Sequence, residues 1–171
     1  VLERKQNNFL ASVFINAGVA GISFLDVSTG EFYAAQGNES YVQKLLQGFA
    51  PAEVIFCKQQ RATLERLLGE DVNAFALDDW VYGFDYAYEK LTQQFKTTTL
   101  KGFGVEDYSE AIIAAGAVLH YLEATEHKDT SHISSISRID EDRYVWLDKF
   151  TIRNLEIISS QHDGGVPLID I

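Results

Sequence analysis

Asp26 closes the apolar run 21–25 and is followed by Val27-Ser28-Thr29-Gly30, which puts a carboxylate at the end of a strand-like segment. Such a group does hydrolytic chemistry only when other carboxylates converge on it to hold Mg²⁺ and position a water. Asp78 and Asp79 are the obvious candidates. Adjacent residues on a strand point to opposite faces, so only one of the pair can face Asp26. This set defines one reading, a metal-dependent nuclease centred on Asp26. The ordinary roles, a turn over residues 26–30 and a capping pair at Asp78-Asp79, outweigh it.

The other reactive side chains make weaker patterns. His120, His127, His132 and His162 lack a cysteine partner and a His-Glu-x-x-His spacing, so they do not compose a zinc site and are expected to be solvated. Cys57 sits in the apolar run Val54-Ile55-Phe56 and is the only cysteine, which predicts a buried thiol and fits a reducing cytoplasm. Gly102-Phe103-Gly104 lacks the third glycine of a dinucleotide loop and reads as a hinge turn. Ser131-His132 lies in a polar segment without a nucleophile elbow. There is no Gly-x-x-x-x-Gly-Lys-Ser/Thr loop to cradle a nucleotide phosphate. The sequence therefore predicts no catalytic residue, no cofactor and no metal in this chain.

The elements that must position these residues follow from hydrophobic period and turn chemistry. Residues 9–17 and 19–27 are β-rich runs joined by the tight connection Asn16-Ala17-Gly18. Ser28-Thr29-Gly30 then turns into the alternating run 31–35, a third antiparallel strand. After Gly37, Asn38 or Ser40 can cap a helix whose Tyr41, Val42, Leu45, Leu46 and Phe49 share a face, stopped by Pro51. Run 53–57 is continuously apolar at its centre, as in a strand covered on both sides. A second helix follows, with Leu64, Leu67 and Leu68 inward and Gly69 at its end. A fifth strand fits 74–77, and Asp85 is placed to cap a third helix over 86–95. The order βββαβαβα, with a mixed sheet flanked by helices, is that of a ribonuclease-H-like α/β domain.

Thr97-Thr98-Thr99 is the most linker-like stretch, so a boundary is expected near residue 100: residues 1–100 form the α/β domain and 101–171 begin an incomplete, mainly helical segment. A long helix is expected from 106 or 107 to about 127. Its apolar stripe is Ala111, Ile112, Ala115, Val118, Leu119 and Leu122, and its small residues Ala114, Ala115, Gly116 and Ala117 allow a neighbour to approach closely. Segments 133–139 and 144–147 read as extended, and Asp148 is placed to cap a helix over 149–158. In that helix Ile152, Leu155 and Ile158 make a ridge, with Arg153 and Glu156 free to pair.

The formal charge of −11 argues against a broad nucleic-acid surface, because phosphate contacts need clustered Lys and Arg. No run reaches the roughly 18 apolar residues of a membrane span. At the C-terminus, Gly164-Gly165-Val166-Pro167 leads into Leu168, Ile169 and Ile171, the opening of a helix far too short to be stable alone. The chain is therefore expected to be an excised piece of a longer one.

Four blocks in one order carry a resemblance: Phe24-Leu25-Asp26-Val27-Ser28-Thr29-Gly30-Glu31-Phe32, Leu100-Lys101-Gly102-Phe103-Gly104-Val105-Glu106, Ala114-Ala115-Gly116 with Leu119 and Tyr121, and Thr151-Ile152-Arg153-Asn154-Leu155-Glu156. From about Asn7 to the end, the chain resembles bacterial members of the MutS family of DNA mismatch-recognition ATPases, over the connector domain and the start of the lever/core domain. The resemblance implies a connector that looks like ribonuclease H without its nuclease activity. It places the mismatch-reading domain before this region and the ATPase, with its ATP and Mg²⁺, far beyond it.

What the resemblance implies for function is coupling. In the intact protein, DNA and nucleotide state reposition the connector and expose a surface for the partner MutL. The implied partners are MutL, the rest of the MutS chain and its dimer mate, and mismatched DNA through the full-length protein, in the cytoplasm and with no membrane. By position, the MutL-facing surface maps to Glu89, Lys90 and Gln93 on the third helix and to Glu123 and Ala124 on the long one. Some relatives carry a glutamine pair where this chain has Glu89-Lys90.

Overall fold

A computed structural model describes residues 8–70, 72–125 and 129–140. The expected segments at 144–147 and 149–158, the block 151–156, the C-terminal turn, His127 and His162 lie outside the described residues.

Strands β1 (Phe9–Asn16), β2 (Val19–Asp26) and β3 (Phe32–Gly37) form the antiparallel meander. Its first turn holds Ala17 at φ 51° and Gly18 at φ 84°, the pair of positive φ values that a two-residue hairpin needs to match strand twist. Helix α1 (Glu39–Phe49) follows, and the Asn38 side chain accepts from the Tyr41 N–H at 2.8 Å, satisfying one of the orphan donors of its first turn. Strand β4 (Glu53–Cys57) returns parallel to β1. Helix α2 (Arg61–Leu68) is closed by Gly69, and β5 (Ala74–Leu77) lies parallel to β4.

Helix α3 spans Phe84–Phe95, starting two residues earlier than expected, with Gly83 at its N-cap and no side-chain cap. Asp85 lies inside the first turn, where its charge meets the positive end of the helix dipole. Helix α4 is Ser109–Ala124, beginning later than expected because residues 105–108 form a turn in which the Tyr108 N–H donates to the Val105 carbonyl. A two-residue strand, β6 (Ser137–Arg138), adds to the free edge of β3. The sheet order is β5-β4-β1-β2-β3-β6. The meander, the parallel crossovers to β4 and β5, and helices on both faces give the ribonuclease-H-like α/β fold class.

Strand alternation divides the core. Phe9, Ala11, Val13, Ile22, Phe24 and Phe56 face α1 and α2, where Phe24 stacks on Phe49 at 4.0 Å between centroids. Leu10, Leu25, Ile55 and Cys57 face α3 and α4. Residues 111–119 of α4 are all buried, because the helix is covered by the sheet on one side and by α3 on the other. Close approach on both sides depends on missing side chains: a Cβ on Gly21 would stand 2.2 Å from the Glu110 carbonyl carbon, and one on Gly116 would stand 2.5 Å from the Ala87 Cα. Segment 97–100, linker-like in sequence, is pinned at its end, where the Leu100 N–H meets the Tyr88 hydroxyl at 3.1 Å and Glu106 Oε1 at 3.2 Å. Leu100 is fully buried.

Candidate interaction face on helices α3 and α4

The acidic residues considered for hydrolysis do not converge. Asp26 pairs in register with Phe9 at the start of β1, whereas Asp78 and Asp79 follow the far end of β5, which runs parallel to β4 and so to β1. Three strand spacings separate them sideways, roughly 14 Å, and about six residues, or roughly 20 Å, separate them along the strands. Each carboxylate also has local work. Asp26 is 2% exposed, and its Oδ1 accepts from the Ser28 N–H at 3.0 Å, the Ser28 hydroxyl at 2.8 Å and the Thr29 N–H at 3.4 Å. Asp79 accepts from the Cys57 thiol at 3.2 Å and the Gln59 N–H at 3.0 Å, while Asp78 pairs with Lys58 at 3.6 Å. Among the described residues, no group of three or more His, Cys, Asp or Glu is placed to hold a metal ion. The nuclease reading of Asp26 is corrected accordingly: its carboxylate holds a turn.

Cys57 is a buried strand thiol. Burial and the neighbouring Asp79 carboxylate push it up to about 11, so it is protonated at neutral pH and a poor nucleophile.

The α3–α4 surface is different, because it gathers residues far apart in the chain. Lys90 of α3 forms a salt bridge with Glu123 of α4. Lys90 is mostly covered, with 19% of its side chain exposed against 69% for Glu123, and its ammonium also lies 5.7 Å from the centre of the Tyr86 ring. Gln93 donates to the Glu89 carboxylate at 3.3 Å, one helical turn away. Lys90, Gln93, Gln94, Leu119, Leu122, Glu123 and Thr130 line a shallow cleft of about 290 Å³ between the two helices. Of the five residues assigned to this surface in advance, Lys90, Gln93 and Glu123 therefore share one cleft. Glu89 and Ala124 are exposed beside it.

Two neighbours of this cleft carried no signal in the sequence. His120, expected to be solvated, is half-buried, and its Nδ1 lies 2.7 Å from the Tyr86 hydroxyl. Trp80, in the short 3-10 turn Asp79–Val81, packs edge-on against both Tyr86 and His120. Burial, and then the nearby Lys90 ammonium, hold the imidazole below its ordinary value of 6.5, against the opposing pull of Glu123 and Asp78. The folded chain therefore binds this proton less readily than the unfolded chain does. Acidification is expected to weaken the fold as pH falls below about 6.5, until the lowered folded-state value is passed. Urea midpoints measured across that range check this, and His120→Gln should flatten the slope.

Strand order, crossover pattern and scattered carboxylates together define a ribonuclease-H-like domain in which Asp26, Asp78 and Asp79 are engaged in turns and pairs. The chain belongs to the MutS domain II family, whose model matches residues 8–134. Over the whole chain it is 55% identical to a DNA mismatch repair protein MutS of Flavobacterium johnsoniae. It is 52% identical to those of Cytophaga hutchinsonii and Flavobacterium psychrophilum, again over its full length. It spans about a fifth of the length of these relatives, 20% in each case. A solved structure, the nuclease domain of the large terminase subunit gp2 of bacterial virus Sf6, aligns over 77% of this chain and 64% of that one. That alignment has a TM-score of 0.36 and 10% identity. Among the described residues, no helix is long and apolar enough to cross a membrane.

Proposed function

We propose that this chain is the non-catalytic connector of a cytoplasmic mismatch-repair ATPase, and that it couples DNA and nucleotide state elsewhere in the parent protein to recruitment of MutL. The family match across residues 8–134 carries this reading. ATP and Mg²⁺ belong, on this reading, to parts of the parent outside this chain, as does contact with mismatched DNA and with the second MutS subunit. The connector is taken to run to at least residue 140, because α4 and β6 pack on the same sheet as the first hundred residues. The core segment then begins beyond it.

The docking face is assigned to Glu89, Lys90, Gln93, Glu123 and Ala124. Support comes from the cleft that Lys90, Gln93 and Glu123 share. A face that engages in only one state of a switching protein should be modest in area with a polar rim, and this one has both properties. The structural alternative is that Lys90 and Glu123 merely brace α3 against α4.

A charge swap separates the two. In the full-length parent, Lys90→Glu or Glu123→Lys alone would break the pair under either reading. The double swap restores the pair, so a brace would be rescued and a contact surface would not. MutL recruitment is expected to fall by roughly tenfold in the double variant, with mismatch affinity unchanged, and Glu89→Lys should act in the same direction. Full recovery in the double swap would remove this face from the interface.

A further inference from the structure

Next to the Tyr86 ring that lies under Lys90 of this cleft stands the most exposed large apolar side chain among the described residues. Trp80 is 60% accessible, yet it is not loosely held. Its ring centroid lies 5.4 Å from Tyr86 and 5.2 Å from His120, edge-on in both cases, and the Tyr86 hydroxyl and His120 Nδ1 fix those two rings to each other at 2.7 Å. The indole is thus preoriented by its edge contacts while more than half of its surface stays open to solvent. Side chains with that combination lose little conformational freedom on binding and dominate protein interfaces.

The charges around the platform are acidic on the outside and basic underneath. Asp78 lies two residues before Trp80, and Glu123 stands one turn after His120 on α4 and pairs with the Lys90 that lies over Tyr86, so both carboxylates belong to the surroundings of the platform, and their side chains are 64% and 69% exposed. The cations paired with them are less well placed to meet a partner. Lys90 is largely covered and lies over Tyr86, and Lys58 contacts Asp78 through one exposed pair at 3.6 Å. Exposed pairs of this kind contribute little and exchange readily for a better partner.

An aromatic face rimmed by carboxylates, on a chain of net charge −11, repels phosphate and leaves a purely apolar helix with unmatched charges. A guanidinium satisfies both features: it stacks on the indole face and offers paired N–H donors to a carboxylate. We propose that Trp80, Asp78 and Glu123 form the anchor site for an arginine side chain on the protein partner that docks against α3 and α4. This inference rests on the docking reading given above.

The test uses the full-length parent with MutL as the probe. Trp80→Ala is expected to weaken MutL binding by roughly 30-fold, the loss typical of an interface hot spot, and Trp80→Phe to recover part of it. Asp78→Asn combined with Glu123→Gln should weaken binding and reduce its dependence on salt. Thermal midpoint and mismatch affinity serve as folding controls, since Trp80 is largely exposed. A p-benzoylphenylalanine cross-linker at position 80 should form its adduct on an arginine-bearing segment of MutL. Binding of Trp80→Ala within twofold of the parent, or an adduct on a segment without arginine, overturns the anchor. If the Lys90/Glu123 double swap abolishes recruitment while Trp80→Ala does not, the docking face stands and only the anchor falls. If Trp80→Ala weakens recruitment and the double swap does not, Trp80 remains a contact, but the α3–α4 face and the three-residue anchor that includes Glu123 both fall.

Discussion

Gly21→Ala is expected to destabilise the folded chain by about 3 kcal/mol or more, near the upper end for an overpacked core. The position is in the middle of β2, where an alanine would ordinarily be an improvement on glycine for a strand. Here the sign reverses, because the added Cβ would stand 2.2 Å from the Glu110 carbonyl carbon and 2.5 Å from the Ala111 nitrogen. Both are backbone atoms of α4, which cannot rotate aside as a flexible side chain would. Relief requires the first turn of α4 to lift off the sheet, and that turn is also tied down by the Gln36 side chain, which accepts from the Ala111 N–H at 3.0 Å. Urea unfolding of the chain measures the loss. Gly102→Ala is the matched control, with nothing within 4 Å of the added atom, and it should change stability by less than about 0.5 kcal/mol, as surface substitutions usually do. A small effect at Gly21 would show that α4 does not seat on the sheet as described.

That contrast also shows what the sequence could reveal. The meander, α1, α2 and both crossover strands were legible because apolar runs, helical period, turns and caps state their roles locally: Asn38, Gly69 and Gly18 all do what their residue types suggest. Helix α4 was legible as a helix but not in its placement. Its expected stripe does not say which neighbour lies on which side, because residues 111–119 are buried all round, and the small residues 114–117 announce close packing without naming α3 or the sheet as the partner. The polar triplet Thr97-Thr98-Thr99 signals a linker by composition, while the contacts that pin Leu100 come from Tyr88 and Glu106, on either side of it in sequence. Strand β6 pairs through only two residues, too short for any period. In the candidate face, Lys90 and Glu123 were assigned through family resemblance, and no spacing rule brings residues 33 apart into one salt bridge. Trp80 had no signal at all, since a lone aromatic in a turn looks the same whether it packs inward or stands open.

Asp26→Ala is expected to destabilise the chain by about 2 kcal/mol, within the range for losing hydrogen bonds to a charged acceptor, because the donors belong to the exposed residues Ser28 and Thr29 and can turn to water. The carboxylate is 2% exposed, and one oxygen collects the Ser28 N–H, the Ser28 hydroxyl and the Thr29 N–H. The same turn is closed by backbone bonds from the Asp26 N–H to the Glu31 carbonyl and from the Gly30 N–H to the Asp26 carbonyl, each 2.8 Å. Residues 129–133 pass over it: a Cβ at Gly30 would lie 2.6 Å from the His132 carbonyl oxygen, and the His132 ring bonds the Val27 carbonyl. Losing the carboxylate therefore loosens the β2–β3 connection together with the loop that leads to β6. Asp26→Asn keeps an acceptor oxygen in place and should lose only about 1 kcal/mol, the net worth of an ordinary hydrogen bond. Urea unfolding orders the three chains. The same three proteins settle the chemical question when incubated with Mn²⁺ or Mg²⁺ and single- or double-stranded DNA. A turn-holding aspartate predicts graded stability and no cleavage in any of them, whereas metal-dependent cleavage that vanishes in Asp26→Asn would make this residue a metal ligand and this domain a nuclease.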